Sequence, residues 1–259
     1  MAITQRRRRI PITIPVVSAN WMKNAGIILM TIYFFGLAIV QNGLLRAQQY
    51  SSAEFSELVA GDEKAFFLTG LSSICYLIGV TAIPIFAFLL VQGIIHTKSV
   101  KKYLITVLIF AVISEIPYDL AVSGTPFNFE DQSVLFTALI ALIALWLLKS
   151  FQGKGFVPVL VNLLIVGGGC FWAIVLNCKF GGGFVLLASI MFLFREKKGL
   201  SIVLGIIVCL IYATAPIGLV PVALYSGERK GTDKKSQKYF YYAYFPIMLA
   251  LFAIWRILI

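Results

Sequence analysis

Residues 103–122 read YLITVLIFAVISEIPYDLAV, and only Glu115 and Asp119 in this stretch carry formal charge. A hydrocarbon core about 30 Å thick is crossed by roughly 20 apolar residues in α-helix, so the stretch predicts a transmembrane span. The two carboxylates are four residues apart and therefore share one helical face. Counted from Tyr103, Glu115 stands about 18 Å along the helix and Asp119 about 24 Å. Holding either ion against lipid is costly. Both are therefore expected to line an internal polar chamber open to substrate or to water. Pro117 also frees the carbonyl of Ile113, an irregularity tolerated at depth where it borders a cavity. The alternative is a structural pair, kept neutral or hydrogen-bonded to Ser114, Gln132 or Asn162. Few cations lie at comparable depth, Arg256 in the last span being the main exception.

The rest of the chain repeats the pattern. Of its 259 residues 60% are hydrophobic and 13% charged, against about 45–50% and about 25% in soluble domains. About eight or nine apolar runs of spanning character follow one another with short polar breaks. The fold class is all-α, a polytopic transmembrane helix bundle of about 8–9 spans with one pair short or re-entrant. Residues 1–23 form a basic cytoplasmic N-terminal segment carrying Arg6 to Arg9, and 24–259 form a single integral membrane domain. The spans fall near 24–44, 67–95 (with a break at Pro84), 103–122, 132–148, 156–176, 181–194 and 239–258. Residues 199–227 lie between the basic breaks REKK and ERKGTDKKSQK and are too short for two full spans, which predicts a short hairpin. The net charge of +11 sits in such breaks, as cytoplasmic loops require, rather than in a nucleic-acid-binding face. This places the N-terminus in the cytoplasm.

Two groups of side chains could do chemistry. Glu115 and Asp119 suit acid–base work or a proton relay. His96, the sole histidine, falls at the cytoplasmic end of a span in HTKSVKK, where a neutral imidazole can take a proton from a nucleophile. Lys98, Lys101 and Lys102 beside it could hold a phosphorylated carrier, or could be ordinary interfacial lysines. One histidine with scattered acids makes no metal site. Cys75, Cys170, Cys178 and Cys209 form no CxxC pair and no disulfide framework. The glycines at 167–169 and 181–183 suit close helix packing or a turn, not a phosphate cradle.

The succession IPIFAFLLVQGIIHTKSVKKYL, IFAVISEIPYDLAVSGTPF and VLFTALIALIALWLL resembles the TraX family of multi-pass bacterial membrane proteins, over roughly residues 23–255. The later GFVLLASIMFLFR and KYFYYAYFPIMLALF fit its closing helices. The family is linked to N-terminal acetylation of F-type pilin. The resemblance implies acyl transfer from acetyl-CoA or another acyl-CoA, as co-substrate, to a peptide amine or other small acceptor, such as a membrane-inserted, pilin-like peptide. It implies a catalytic His96 with Glu115 and Asp119 organising the cavity, and Lys98, Lys101 or Lys102 near the CoA phosphates. The sequence departs from the family at four polar positions. Tyr33 and Phe34 stand where an Asp-His pair is usual, Gln92 where a glutamate is usual, and Met248 where a histidine is usual. Two further readings therefore stay open: an inactive binding or assembly protein on the same scaffold, and a proton-coupled transporter built on the intramembrane acids.

Overall fold

The structure, a computed structural model, describes residues 17–153, 155–225 and 235–258, with the backbone alone for 235–239. Arg6 to Arg9, Lys154 and residues 228–234 of the last basic break lie outside the described residues.

Helix α1 (Ala19–Phe34) starts at Ser18, whose side chain accepts the Trp21 N–H, and runs directly into a π-helical segment, Phe35–Leu44. Helix α2 (Ser52–Gly61) occupies the acidic break that follows. A capping box fixes its start: the Ser51 N–H donates to Glu54 Oε2 at 2.8 Å, and the Glu54 N–H donates to Ser51 Oγ at 3.4 Å. Helices α3 (Glu63–Gly79) and α4 (Ala82–His96) form one path that breaks at Val80–Thr81. Pro84 is not the breaking point. It sits in the first turn of α4, where its missing N–H leaves no intrahelical bond unmade.

Helix α5 (Val100–Val122), capped by Ser99, stays continuous through Pro117. It is followed by α6 (Val134–Ser150), α7 (Phe156–Val175), α8 (Gly181–Leu193), α9 (Lys198–Cys209), α10 (Leu219–Ala223) and α11 (Lys235–Leu258). There is no strand among the described residues, only the isolated bridges Val17–Tyr225 and Gln132–Cys178.

Five stretches are long and apolar enough to cross a membrane: Ala19–Leu44, Glu63–His96, Val100–Val122, Phe156–Val175 and Phe240–Leu258. Three more apolar helices are shorter, Val134–Ser150, Gly181–Leu193 and Lys198–Tyr212. Length and composition thus support five spans directly, where the sequence led us to expect 8–9. The remainder are helices that fall below the usual spanning length.

The short α8 is the hub of the bundle. It packs against α4, α6, α7 and α9, and buries Phe184, Val185, Leu187, Ala188, Met191 and Phe192. Helix α7, by contrast, fully buries only Ala173 and packs Ile165, Val166 and Cys170 in part, while Phe156, Leu163, Leu164, Phe171, Trp172 and Ile174 are exposed, as on a helix facing lipid. Of the 167–169 glycines only Gly169 is packed, against Val185 and Ala144; Gly167 and Gly168 face open space.

The stretch 198–225 is the expected hairpin. The Lys198 ammonium donates to the Tyr225 carbonyl at 3.1 Å, which brings its two ends together. Its turn is anchored by Tyr212 donating to the Phe180 carbonyl and by Thr214 donating to the Leu77 carbonyl.

Candidate functional site

Helix α5 ends where Gly124 takes a positive φ of 79°, with the Ser123 and Gly124 N–H groups both donating to the Asp119 carbonyl, at 2.7 and 3.0 Å. The following loop folds back over the helix end. The Asn128 N–H reaches Asp119 Oδ2 at 2.9 Å, and the Asn128 amide donates to Ser123 Oγ at 2.6 Å. Farther along, the Ser133 N–H donates to Glu115 Oε2 at 3.4 Å. The buried Tyr118 hydroxyl donates to Asp131 Oδ2 at 2.8 Å, and the Lys179 ammonium pairs with the same oxygen at 3.1 Å.

Lys179 comes from the α7–α8 turn, which is stitched to this loop. Gln132 N–H donates to the Asn177 carbonyl, Lys179 N–H to the Gln132 carbonyl, and the Asn177 amide to the Glu130 carbonyl. In the same turn, burial first and then the charges of Glu115 and Asp131 push the Cys178 thiol up to about 11, so it is an inert packing group rather than a nucleophile.

One oxygen of each carboxylate therefore meets a backbone N–H of the folded-back loop. Asp119 is 2% exposed and Glu115 half-buried. The partners named from sequence are not the ones found. Ser114 donates back to Ala111 within its own helix, Gln132 uses its backbone, and Asn162 Oδ1 is buried with no partner among the described residues. Arg256 caps α5 through the Ala121 carbonyl at 2.9 Å instead of meeting a carboxylate. The groups that do meet the acids, the backbone N–H groups of Asn128 and Ser133, were not singled out from sequence. Their only signal was a polar run, NFEDQS, beside an apolar span.

The other polar region lies at the opposite end of α5. His96, exposed at the last turn of α4, has Nδ1 2.9 Å from the Gln92 carbonyl oxygen. A carbonyl oxygen only accepts, so Nδ1 donates here, and Nε2 makes no hydrogen bond among the described residues. Lys98 in the connecting loop and Lys101 and Lys102 in the first turn of α5 are all exposed. They stand around a helix N-terminus, which itself favours an anion. Nearby, a groove of about 240 Å³ is lined by Gln92, Phe88, Met191, Arg195, Lys198 and Tyr225.

The six residues singled out from sequence thus form two groups, His96 with Lys98, Lys101 and Lys102, and Glu115 with Asp119. Along α5 the groups are about 22 Å apart, counting from Val100 to Glu115. The bundle beside the second group is aromatic. Tyr33 packs on Phe34 (ring centroids 5.1 Å apart) and on Phe180 (5.4 Å), and Phe34 packs on Tyr118 (6.0 Å) and Phe245 (5.5 Å). Met248 is buried as well. Among the described residues no three His, Cys, Asp or Glu side chains are grouped to hold a metal ion.

Apolar helices joined into one bundle, with polar chemistry confined to the two ends, define a multi-pass membrane protein. The family model described as TraX protein matches residues 18–256, nearly the whole chain. This chain belongs to the TraX family. Comparisons with curated proteins and with solved structures each returned no match.

Proposed function

We propose that the protein is a membrane acyltransferase that moves an acyl group, acetyl in the first instance, from acyl-CoA to the amine of a peptide or another small acceptor. The acceptor is a membrane-inserted, pilin-like segment, and the setting is a bacterial plasma membrane. The N-terminus and the His96 end face the cytoplasm, where loops collect Lys and Arg. In this arrangement the eight apolar helices all lie in the bilayer, with the 198–225 hairpin entering and leaving on the cytoplasmic side. The observation that carries the reading, beside family membership, is the unengaged Nε2 of His96 amid three exposed lysines.

His96 Nε2 takes a proton from the acceptor amine as its nitrogen attacks the thioester carbonyl. The C–S bond then breaks, and His96 returns the proton to the departing thiolate. Lys98, Lys101 and Lys102 neutralise the phosphates of the carrier. Glu115 and Asp119 lie too far from His96 to share these proton transfers, and they organise the opposite end of the bundle.

A second reading is favoured by one observation. Tyr33 and Phe34, at positions usually polar in the family, are packed into the aromatic cluster beside Tyr118. A scaffold filled there suits binding or assembly without turnover. The full-length protein in lipid nanodiscs, given acetyl-CoA labelled in the acyl group and an amine-bearing peptide, separates the two. We expect transfer or slow hydrolysis of the label, falling by about 10²-fold or more in His96→Ala. A rate that His96→Ala leaves unchanged removes the assigned base. No turnover together with CoA-independent capture of the peptide supports the second reading.

A further inference from the structure

Three oxygens at the Glu115 end of α5 are buried and have no hydrogen-bond partner among the described residues: Glu115 Oε1, Asp119 Oδ1 and Ser133 Oγ. Ser133 is 0% exposed and Asp119 2%. The Ser133 N–H already reaches Glu115, and its hydroxyl lies toward the same carboxylate without closing a hydrogen bond of good geometry. Buried polar atoms in native proteins are almost always satisfied, and an orphaned set calls for a ligand. Two of the three are carboxylate oxygens, and all three can accept.

The charges around them sharpen the point. Asp131 is satisfied by Tyr118 and Lys179. Arg256 spends its donors on the Ala121 carbonyl and on Gln48. Glu115 and Asp119 are left without a cationic side chain. An anion is excluded by the acceptors, and a divalent ion is disfavoured because no third carboxylate, histidine or thiol completes a set.

We propose that this end of α5 binds a small monovalent cation, an alkali-metal ion or ammonium, through Glu115, Asp119 and the Ser133 hydroxyl. The side chains of Asp131 and Lys179, in the folded-back loop and the turn joined to it, are 31% and 22% exposed, so this end of the bundle reaches the surface. A bound cation also supplies the charge that lets two carboxylates sit in an apolar bundle. The site is independent of acyl transfer at His96, and the test below measures no turnover.

The test uses the full-length protein in nanodiscs at constant ionic strength, with choline chloride exchanged stepwise for NaCl, KCl or NH4Cl while the thermal midpoint is followed. Choline is too bulky for such a site and sets the baseline. At least one small cation should raise the midpoint saturably. The half-saturating concentration should rise about tenfold or more in Glu115→Gln and in Asp119→Asn, since each loses a charge-assisted contact. Ser133→Ala, which changes no charge, should weaken the response less, and it decides the matter if the carboxamide variants do not fold. The three chlorides distinguish alkali metal from ammonium. Identical midpoints in all four salts overturn the proposal, as does a larger saturable response to CaCl2, or a cation response that survives unchanged in these variants.

Discussion

At the scale of single residues, Asp131 is held by a buried neutral donor and a half-buried cation on one oxygen. The two contacts are unequal. Tyr118 is fully buried, so Tyr118→Phe removes a desolvated hydrogen bond to a carboxylate and should cost about 1–2 kcal/mol. Lys179→Met removes a partly screened ion pair and should cost about 1 kcal/mol or less. Chemical denaturation of the two variants side by side measures the order, and a larger loss in Lys179→Met would show that the ion pair dominates. The sequence made it plain that Glu115 and Asp119 need polar partners, because charge, spacing and apolar surroundings are all local properties. Their partners were not legible. Ser133 and Asn128 reach the acids only because the loop after Gly124 folds back, and no periodicity encodes such a return.

At the scale of elements, close approach of α1 and its π-helical continuation to α3 depends on missing side chains. A methyl group at Gly36 would overlap Cβ of Cys75, and one at Gly79 would overlap the Tyr33 backbone and Cβ. Gly36→Ala and Gly79→Ala should each destabilise the protein by about 1–3 kcal/mol, read as a lower thermal midpoint in the same nanodiscs. Helix α2 offers a pH-dependent test. Its capping bonds to Ser51 hold Glu54 below the usual carboxylate range. A depressed folded-state value means that the cap is in full force above the unfolded value and is lost as pH falls through the folded one. Amide exchange in the first turn of α2 should therefore accelerate at acid pH; Glu54→Gln should abolish that dependence, and Ser51→Ala, which keeps the backbone N–H that holds the carboxylate, should only weaken it. The long spans were legible from runs of about 20 apolar residues. Helix α2 and the π-helical segment were not. The first hides among acids in an apparent loop, and the second is fixed by tertiary contacts such as the Asn42 amide donating to the Val122 carbonyl at 2.9 Å.

At the scale of the whole molecule, the path from Lys98 to Lys198 runs through α5, α6, α7 and α8. If each crosses, both lysines emerge on one side and Glu130 on the other. Single cysteines placed at 98, 130 and 198 in a background free of the four native thiols should report this. An impermeant maleimide applied to right-side-out vesicles should label position 130 and spare 98 and 198. Labelling of 98 without 198 would mean that one of the short helices turns back. The bundle is also uneven in depth. Helix α8, with 13 residues at its centre, measures about 20 Å, against about 30 Å for the surrounding hydrocarbon. Where the turns at both ends of α8 are wetted, the layer between them is correspondingly thinner. In an energised cell the transmembrane voltage would drop over this narrower insulating layer, steepening the local electric field by about half.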